Sequence, residues 1–232
     1  MKDMLGVIGG MGPLPSQLFY KMITERTEGE RDQDHLNMLI LSDAGMPDRT
    51  EAILSGKVEE VTARLLEDAK LLERNGCRGI AITCNTAHYF ADKIEESLTI
   101  PIIHMIRETA KETAKVCKGR RAAILATDGT IKTQLYQKAL EAEGVIPYIP
   151  SEENQKRVMH LIYGCIKSGR PADMTALKLI EKELLDAGCQ KALLACTELS
   201  CIREQEKLSD FYLDPMEVLA IKCIEFMGKE AR

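Results

Sequence analysis

AKLLERNGCRGIAITCNTAH (residues 69–88) and EKELLDAGCQKALLACTELS (residues 181–200) are one pattern written twice in the same chain. The offset is 196 − 84 = 112 residues, and Lys, Leu, Gly and two Cys coincide at matched positions. Each copy reads as an amphipathic helix, a Gly-Cys turn, an apolar run too short for a helix, then Cys followed by hydrogen-bonding residues. A second match, offset by 123 − 6 = 117 residues, lays GVIGGMG (6–12) over AILATDG (123–129). Self-similarity of this kind predicts a βα architecture duplicated within the chain.

The rest of the chain extends the alternation. Short apolar runs at 4–9, 36–42, 79–83, 101–104, 121–126, 145–149, 191–195 and 211–213 have the look of strands buried on both faces of a parallel sheet. Helical patterns lie between them. One starts at Pro13 and fades near Gly29, and another spans 57–75, with apolar Val58, Val61, Leu65, Leu66, Ala69 and Leu72 before the stop at Gly76. Further helices are expected over 86–97, 105–116, 130–143, 152–168 and 173–187, and a last one from Asp214-Pro215-Met216-Glu217 onward. The expectation is two similar α/β domains, each a short, mainly parallel sheet flanked by helices, related by pseudo-twofold symmetry with the active site between them. Their predicted extents are 1–103 with 205–232, because FYLDPMEVLA resembles PIIHMIRETA, and 104–204.

Composition narrows the function. Of 232 residues, 45% are hydrophobic and 29% charged, with a formal net charge of −5 and no basic tract, which argues against nucleic acid or an anionic membrane as partner. The N-terminal MKDMLGVIGGMG lacks a secretory apolar core, and no apolar stretch approaches the roughly 20 residues of a membrane helix, so a cytoplasmic protein is expected. The eight cysteines (77, 84, 117, 165, 189, 196, 201 and 223) form no C-x-x-C pair, and His35, His88, His104 and His160 do not supply zinc spacing. Neither a disulfide framework nor a metal site is expected.

Cys84 and Cys196 stand apart from the other thiols. Each lies at the carboxyl end of a predicted strand, where open parallel sheets bind ligands. For any single cysteine the plain alternative is an inert core thiol. A matched pair at equivalent strand ends instead suits racemisation, in which one base removes an α-proton while an acid protonates the opposite face. A helix N-terminus after each strand would favour thiolate. Its N–H groups, with Asn85, Thr86 and Thr197, would hold the substrate α-carboxylate. Cys77 and Cys189 also match in the repeat but precede their strands, which marks them as structural.

GVIGGMGP (6–13), TCNTAH (83–88) and CTELS (196–200) closely resemble the aspartate/glutamate racemase family, within it the aspartate racemase branch, over essentially the whole chain. The resemblance implies two similar α/β domains, a homodimer, no pyridoxal phosphate or other cofactor, and a two-base mechanism. Both catalytic positions are cysteine here, whereas some members of the family carry threonine at one. The stretch LPSQ after GGMGP departs from the usual small-residue turn. Arg49, in the predicted loop MPDRT, and Lys167, at the close of YGCIKSG, resemble the family's binders of a distal carboxylate.

Other residues carry two readings each. Glu198 either binds the substrate ammonium or merely favours the first turn of its helix. His88 supports the Cys84 thiolate or packs, Thr127 and Thr130 flank a strand end equivalent to GGMG and are candidate substrate contacts, and Met11 is core or cleft wall. The favoured substrate is a small acidic amino acid, with one methylene between aspartate and glutamate worth only about 1–3 kcal/mol of discrimination. Two rivals remain: a single-thiol isomerase or decarboxylase of a small dicarboxylate, and a non-catalytic dicarboxylate-binding protein.

Overall fold

The computed structural model describes residues 3–232. They form two compact units, one of residues 3–105 with 216–232 and one of residues 106–215. In the first unit, β1 (Met4–Gly9), β2 (Met38–Ser42), β3 (Cys77–Ile82) and β4 (Ile102–Ile103) make a four-stranded sheet in the order β2-β1-β3-β4. In the second, β5 (Arg121–Ala126), β6 (Ile146–Tyr148), β7 (Cys189–Ala195) and β8 (Tyr212–Leu213) make a sheet in the order β6-β5-β7-β8. All six pairings are parallel.

The two sheets share an irregularity. β3 pairs with β1 as Met4↔Cys77 and then Leu5↔Gly79, skipping Arg78. β7 pairs with β5 as Arg121↔Cys189 and then Ala122↔Lys191, skipping Gln190. One extra residue at the same point of each repeat is a bulge, and it sets which later side chains face which side of the sheet. Cys77 and Cys189 sit beside these bulges as buried hydrophobes. Burial pushes the Cys77 thiol up and the Cys189 thiol up to about 11.

The helices cover the sheets as their apolar stripes require. Helix Glu59–Arg74 buries Val61, Leu65, Ala69 and Leu72, spaced to make one stripe, and these join Ile8, Ile80 and Ile82 in the first core. Helix Pro215–Phe226 closes against the same unit at Gly79, where an added Cβ would come within 2.6 Å of the Phe226 ring. In the second unit, helix Met174–Asp186 buries Ala176, Leu177, Ile180 and Leu184. The second core gathers Ile106, Ile124, Tyr136, Leu140 and Leu193. Among the described residues no helix is long and apolar enough to cross a membrane.

Several expectations need correction. The return to the first unit falls at Met216 rather than 205, because Tyr212 and Leu213 pair with Ala192 and Leu193 of β7 and so extend the second sheet. Arg49 is not in a loop but opens helix Arg49–Ser55, which Asp48 caps by accepting from the Glu51 N–H (2.9 Å) and Gly56 ends at φ 75°. The helix expected over 130–143 breaks at Gln134, which adopts φ 58° between Asp128–Thr133 and Leu135–Ala142. The one expected over 152–168 is α-helical only to Met159, then continues as a π-turn at His160–Cys165 and a 3₁₀ turn at Ile166–Ser168.

Asp68, on helix Glu59–Arg74, gives the first unit a pH dependence. Burial, with the Asp43 carboxylate beside it, raises its carboxyl to about 6, against the lowering effect of Arg64. The folded state therefore holds this proton more tightly than the unfolded chain, and stability declines as pH rises from about 4 to about 6. Asp68→Asn is expected to raise the melting temperature at pH 7 and to leave it nearly unchanged at pH 4. Equal shifts at both pH values would contradict this.

Candidate active site

The first unit builds its candidate site at the carboxyl ends of β1 and β3. The glycine turn after β1 depends on Gly10, whose φ is 87° and where an added Cβ would lie 2.4 Å from the Asp43 backbone. Ser16, in the LPSQ stretch, closes this turn. Its buried hydroxyl accepts from the Gly10 N–H (2.8 Å), donates to the Gly12 carbonyl (2.8 Å) and lies 3.2 Å from Thr83 Oγ1. The first loop is thereby tied to the residue just before Cys84.

Cys84 is 6% exposed, and Asn85 and Thr86 beside it are buried. The helix expected to start here is a 3₁₀ turn, Thr86–Tyr89, followed by the short helix Ala91–Glu95. The His88 ring supplies the cause. Nε2 accepts the Met105 backbone N–H (3.1 Å), so Nδ1 carries the ring hydrogen and donates it to the Cys84 carbonyl (2.8 Å). That carbonyl is taken by a side chain, and the His88 N–H turns to Asn85 O at 3.1 Å instead. The macrodipole argument for Cys84 is correspondingly weakened, because only a short turn follows it.

Arg49 is buried and meets Met11. Its Nη1 donates to the carbonyls of Met46 (3.2 Å) and Pro47 (2.9 Å), and Nη2 to that of Met11 (3.2 Å). The guanidinium therefore shapes the loops after β1 and β2 as well as bringing a positive charge there. Met11 itself is 2% exposed.

The second unit places its residues at the ends of β5 and β7. Thr127 caps helix Asp128–Thr133, accepting from the Thr130 N–H at 3.3 Å, and the two hydroxyls lie 3.2 Å apart. Cys196, 6% exposed, is the N-cap residue of helix Thr197–Glu206, so here the expected helix N-terminus is present. Thr197 follows it and is buried.

Glu198 lies in the first turn with 2% of its surface exposed. Its Oε2 accepts from the Cys196 thiol at 2.9 Å, and its Oε1 is 2.8 Å from Lys167 Nζ. Lys167 also lies over the Tyr163 ring, 5.5 Å from its centre. In the second unit the expected residues Cys196, Glu198 and Lys167 are thus one connected chain.

These strand-end motifs agree with the family comparison, in which the sequence profile described as Asp/Glu/hydantoin racemase matches residues 8–223. The chain belongs to this family. It is similar to the broad specificity amino-acid racemase RacX of Bacillus subtilis (strain 168), at 27% identity over 86% of this chain and 87% of that one. Among solved structures it resembles Picrophilus torridus aspartate racemase, with 29% identity, a TM-score of 0.83, and coverage of 99% of this chain and 96% of the other. An aspartate racemase homologue from Pyrococcus horikoshii OT3 follows at 26% identity and a TM-score of 0.77, covering 98% and 100%. The protein is an amino-acid racemase, an isomerase.

Three supporting residues of this racemase were not singled out from sequence. Ser16 carried a signal only as part of LPSQ. Thr83 was quoted within TCNTAH without a role. Ser200, the last residue of CTELS, is fully buried and donates to Asp214 Oδ1 at 2.7 Å, joining the helix after Cys196 to the segment after β8. A buried serine at fixed distance from a motif is a weak sequence signal, since only its partner gives it meaning.

Ser16→Ala leaves the Gly10 N–H buried without its acceptor, at an expected cost of about 1–3 kcal/mol. Urea unfolding checks this through a lower midpoint at unchanged slope. A loss below about 0.5 kcal/mol would mean the loop finds another partner.

Proposed function

We propose that this racemase inverts a small acidic amino acid without pyridoxal phosphate, Cys84 and Cys196 serving as the two bases on opposite faces of one α-carbon. The observation that supports the reading most is the equivalence of the two thiols. Each follows an inner strand of its sheet, β3 or β7, that carries the same bulge and pairs in parallel with the equivalent neighbour, β1 or β5. Each is 6% exposed, enough to meet a ligand while excluding bulk water. A single base cannot serve both faces of a held carbon, whereas two thiols at matched strand ends divide the work.

In this scheme one cysteine is thiolate and takes the α-proton, and the other is thiol and delivers a proton from the opposite side. The product leaves the two protonation states exchanged. Asn85, Thr86, Thr127, Thr130 and Thr197 supply hydroxyl, amide and backbone donors at the strand ends, suited to the α-carboxylate and to charge that builds there as the proton leaves. Arg49 contributes the cation for a distal carboxylate, beside Met11 on the loop after β1. We further propose a cytoplasmic homodimer as the working form.

Replacing either cysteine by serine is expected to abolish racemisation, because a hydroxyl is far too weak a base near neutral pH. In D₂O each single variant is expected to exchange the α-hydrogen of one enantiomer, and the two variants to prefer opposite enantiomers. Full racemisation by either, followed by chiral chromatography, would exclude the two-base scheme.

Arg49→Ala is expected to raise KM for aspartate much more than for alanine, a lost charge-assisted contact in a partly dry site costing about 2–5 kcal/mol. Comparing two substrates on one variant cancels any loss of folding from its carbonyl contacts. Equal losses for both substrates would remove Arg49 from the substrate site.

A further inference from the structure

Glu198 was expected to meet the substrate ammonium or only to favour its helix. Its two oxygens are directed to Cys196 and Lys167. We propose that Glu198, held ionised by Lys167, is a positioning residue that keeps Cys196 as the thiol in the free enzyme and so leaves Cys84 as the resting thiolate. The inference rests on the two-cysteine reading of the reaction.

The argument begins with donors and acceptors. Lys167 offers only N–H donors, so its contact with Oε1 at 2.8 Å favours the carboxylate form of Glu198. An ionised carboxylate accepts hydrogen bonds and donates none. Oε2, 2.9 Å from Cys196 Sγ, therefore has a bonding partner in the thiol and only a repelling charge in the thiolate. Cys196 also caps a ten-residue helix, whose N-terminus carries about half a positive charge and favours the anion. Lys167 meets the other oxygen, so Oε2, at contact distance from the sulfur, outweighs that half charge.

Other groups around the start of this helix are neutral or negative. Tyr136, fully buried, has its phenol pushed well above the usual range by burial, so it stays uncharged. Burial pushes the Cys201 thiol up to about 12, with the Glu198 and Asp214 carboxylates adding to the rise. The Asp214 carboxylate, buried and bonded to Ser200, adds negative charge beside the same helix. Among the described residues no such carboxylate is bonded to the Cys84 thiol, and its carbonyl is held by the neutral His88 ring.

The proton balance follows. In the favoured direction Cys84 Sγ⁻ takes the α-proton and Cys196 Sγ–H gives its proton to the opposite face, leaving Cys84 as thiol and Cys196 as thiolate beside Glu198. A proton from solvent to Cys196 and one lost from Cys84 restore the resting state. The enantiomers are equal in free energy, so kcat/KM is the same in both directions. The bias appears as kcat and KM moving together, larger for the enantiomer whose proton faces Cys84.

The test reads the thiols directly. Iodoacetamide reacts with thiolate, and both cysteines are 6% exposed, so peptide mass mapping of the labelled, folded protein compares their thiolate content at similar access. Cys84 is expected to label at least about tenfold faster than Cys196 in the native protein. Glu198→Gln, which offers an amide N–H to the thiolate, is expected to bring the two rates within about threefold, and to make kcat for the two enantiomers converge. Lys167→Met removes the group that keeps Glu198 ionised and is expected to shift the labelling the same way, which carries the test if the first variant does not fold. Faster labelling of Cys196 in the native protein, or an unchanged ratio in a folded variant, would overturn the proposal. Absence of racemisation by the native protein would instead overturn the proposed function, because the labelling ratio needs no turnover.

Discussion

Parallel pairing through one shared bulge is the constraint on which the rest of this racemase depends. Skipping Arg78 in β3 and Gln190 in β7 fixes the phase of every later side chain in those strands. Because side chains alternate faces, a slip of one residue would exchange the buried set of each strand for its opposite. The bulges thus determine how Cys84 and Cys196 leave their sheets, each six residues beyond the skipped residue. Both sheets are covered by helices, so the strand interiors have no polar work to do, and chemistry is confined to their carboxyl ends.

What happens at those ends differs between the units, although the strands are alike. At Cys84 the backbone is organised by neutral groups: a serine hydroxyl, a threonine hydroxyl and a histidine ring locked in one tautomer. At Cys196 the organisation is ionic, with a buried carboxylate between a thiol and an ammonium. A buried carboxylate left alone would be costly, and the Lys167 contact is what makes its burial tolerable. A duplicated fold therefore carries two unlike electrostatic environments.

Arg49 illustrates how one residue takes on two tasks. Its N–H groups satisfy three carbonyls of irregular backbone after β1 and β2, which would otherwise lose solvent without gaining partners. Carbonyls fill donor sites without cancelling the charge, so the guanidinium still contributes a positive field. Lys167 is in the contrary position, since its ion pair with Glu198 offsets its charge.

Much of this was legible in the sequence for a definite physical reason. Strand and helix positions follow from apolar periodicity, and the repeat between residues 69–88 and 181–200 is a matter of pattern, so the two sheets and the strand-end cysteines could be placed from residues alone. Tertiary structure decided what no local pattern encodes. Tyr212 and Leu213 joined the second sheet because an open edge of β7 was there to pair with them. The helix after Cys84 became a 3₁₀ turn because Met105, seventeen residues on, sets the tautomer of His88. Glu198 turned to Cys196 and Lys167 because a long-range cation lay within reach of its buried carboxylate. Periodicity is a property of neighbours along the chain, whereas partner choice among buried polar groups is a property of neighbours in space.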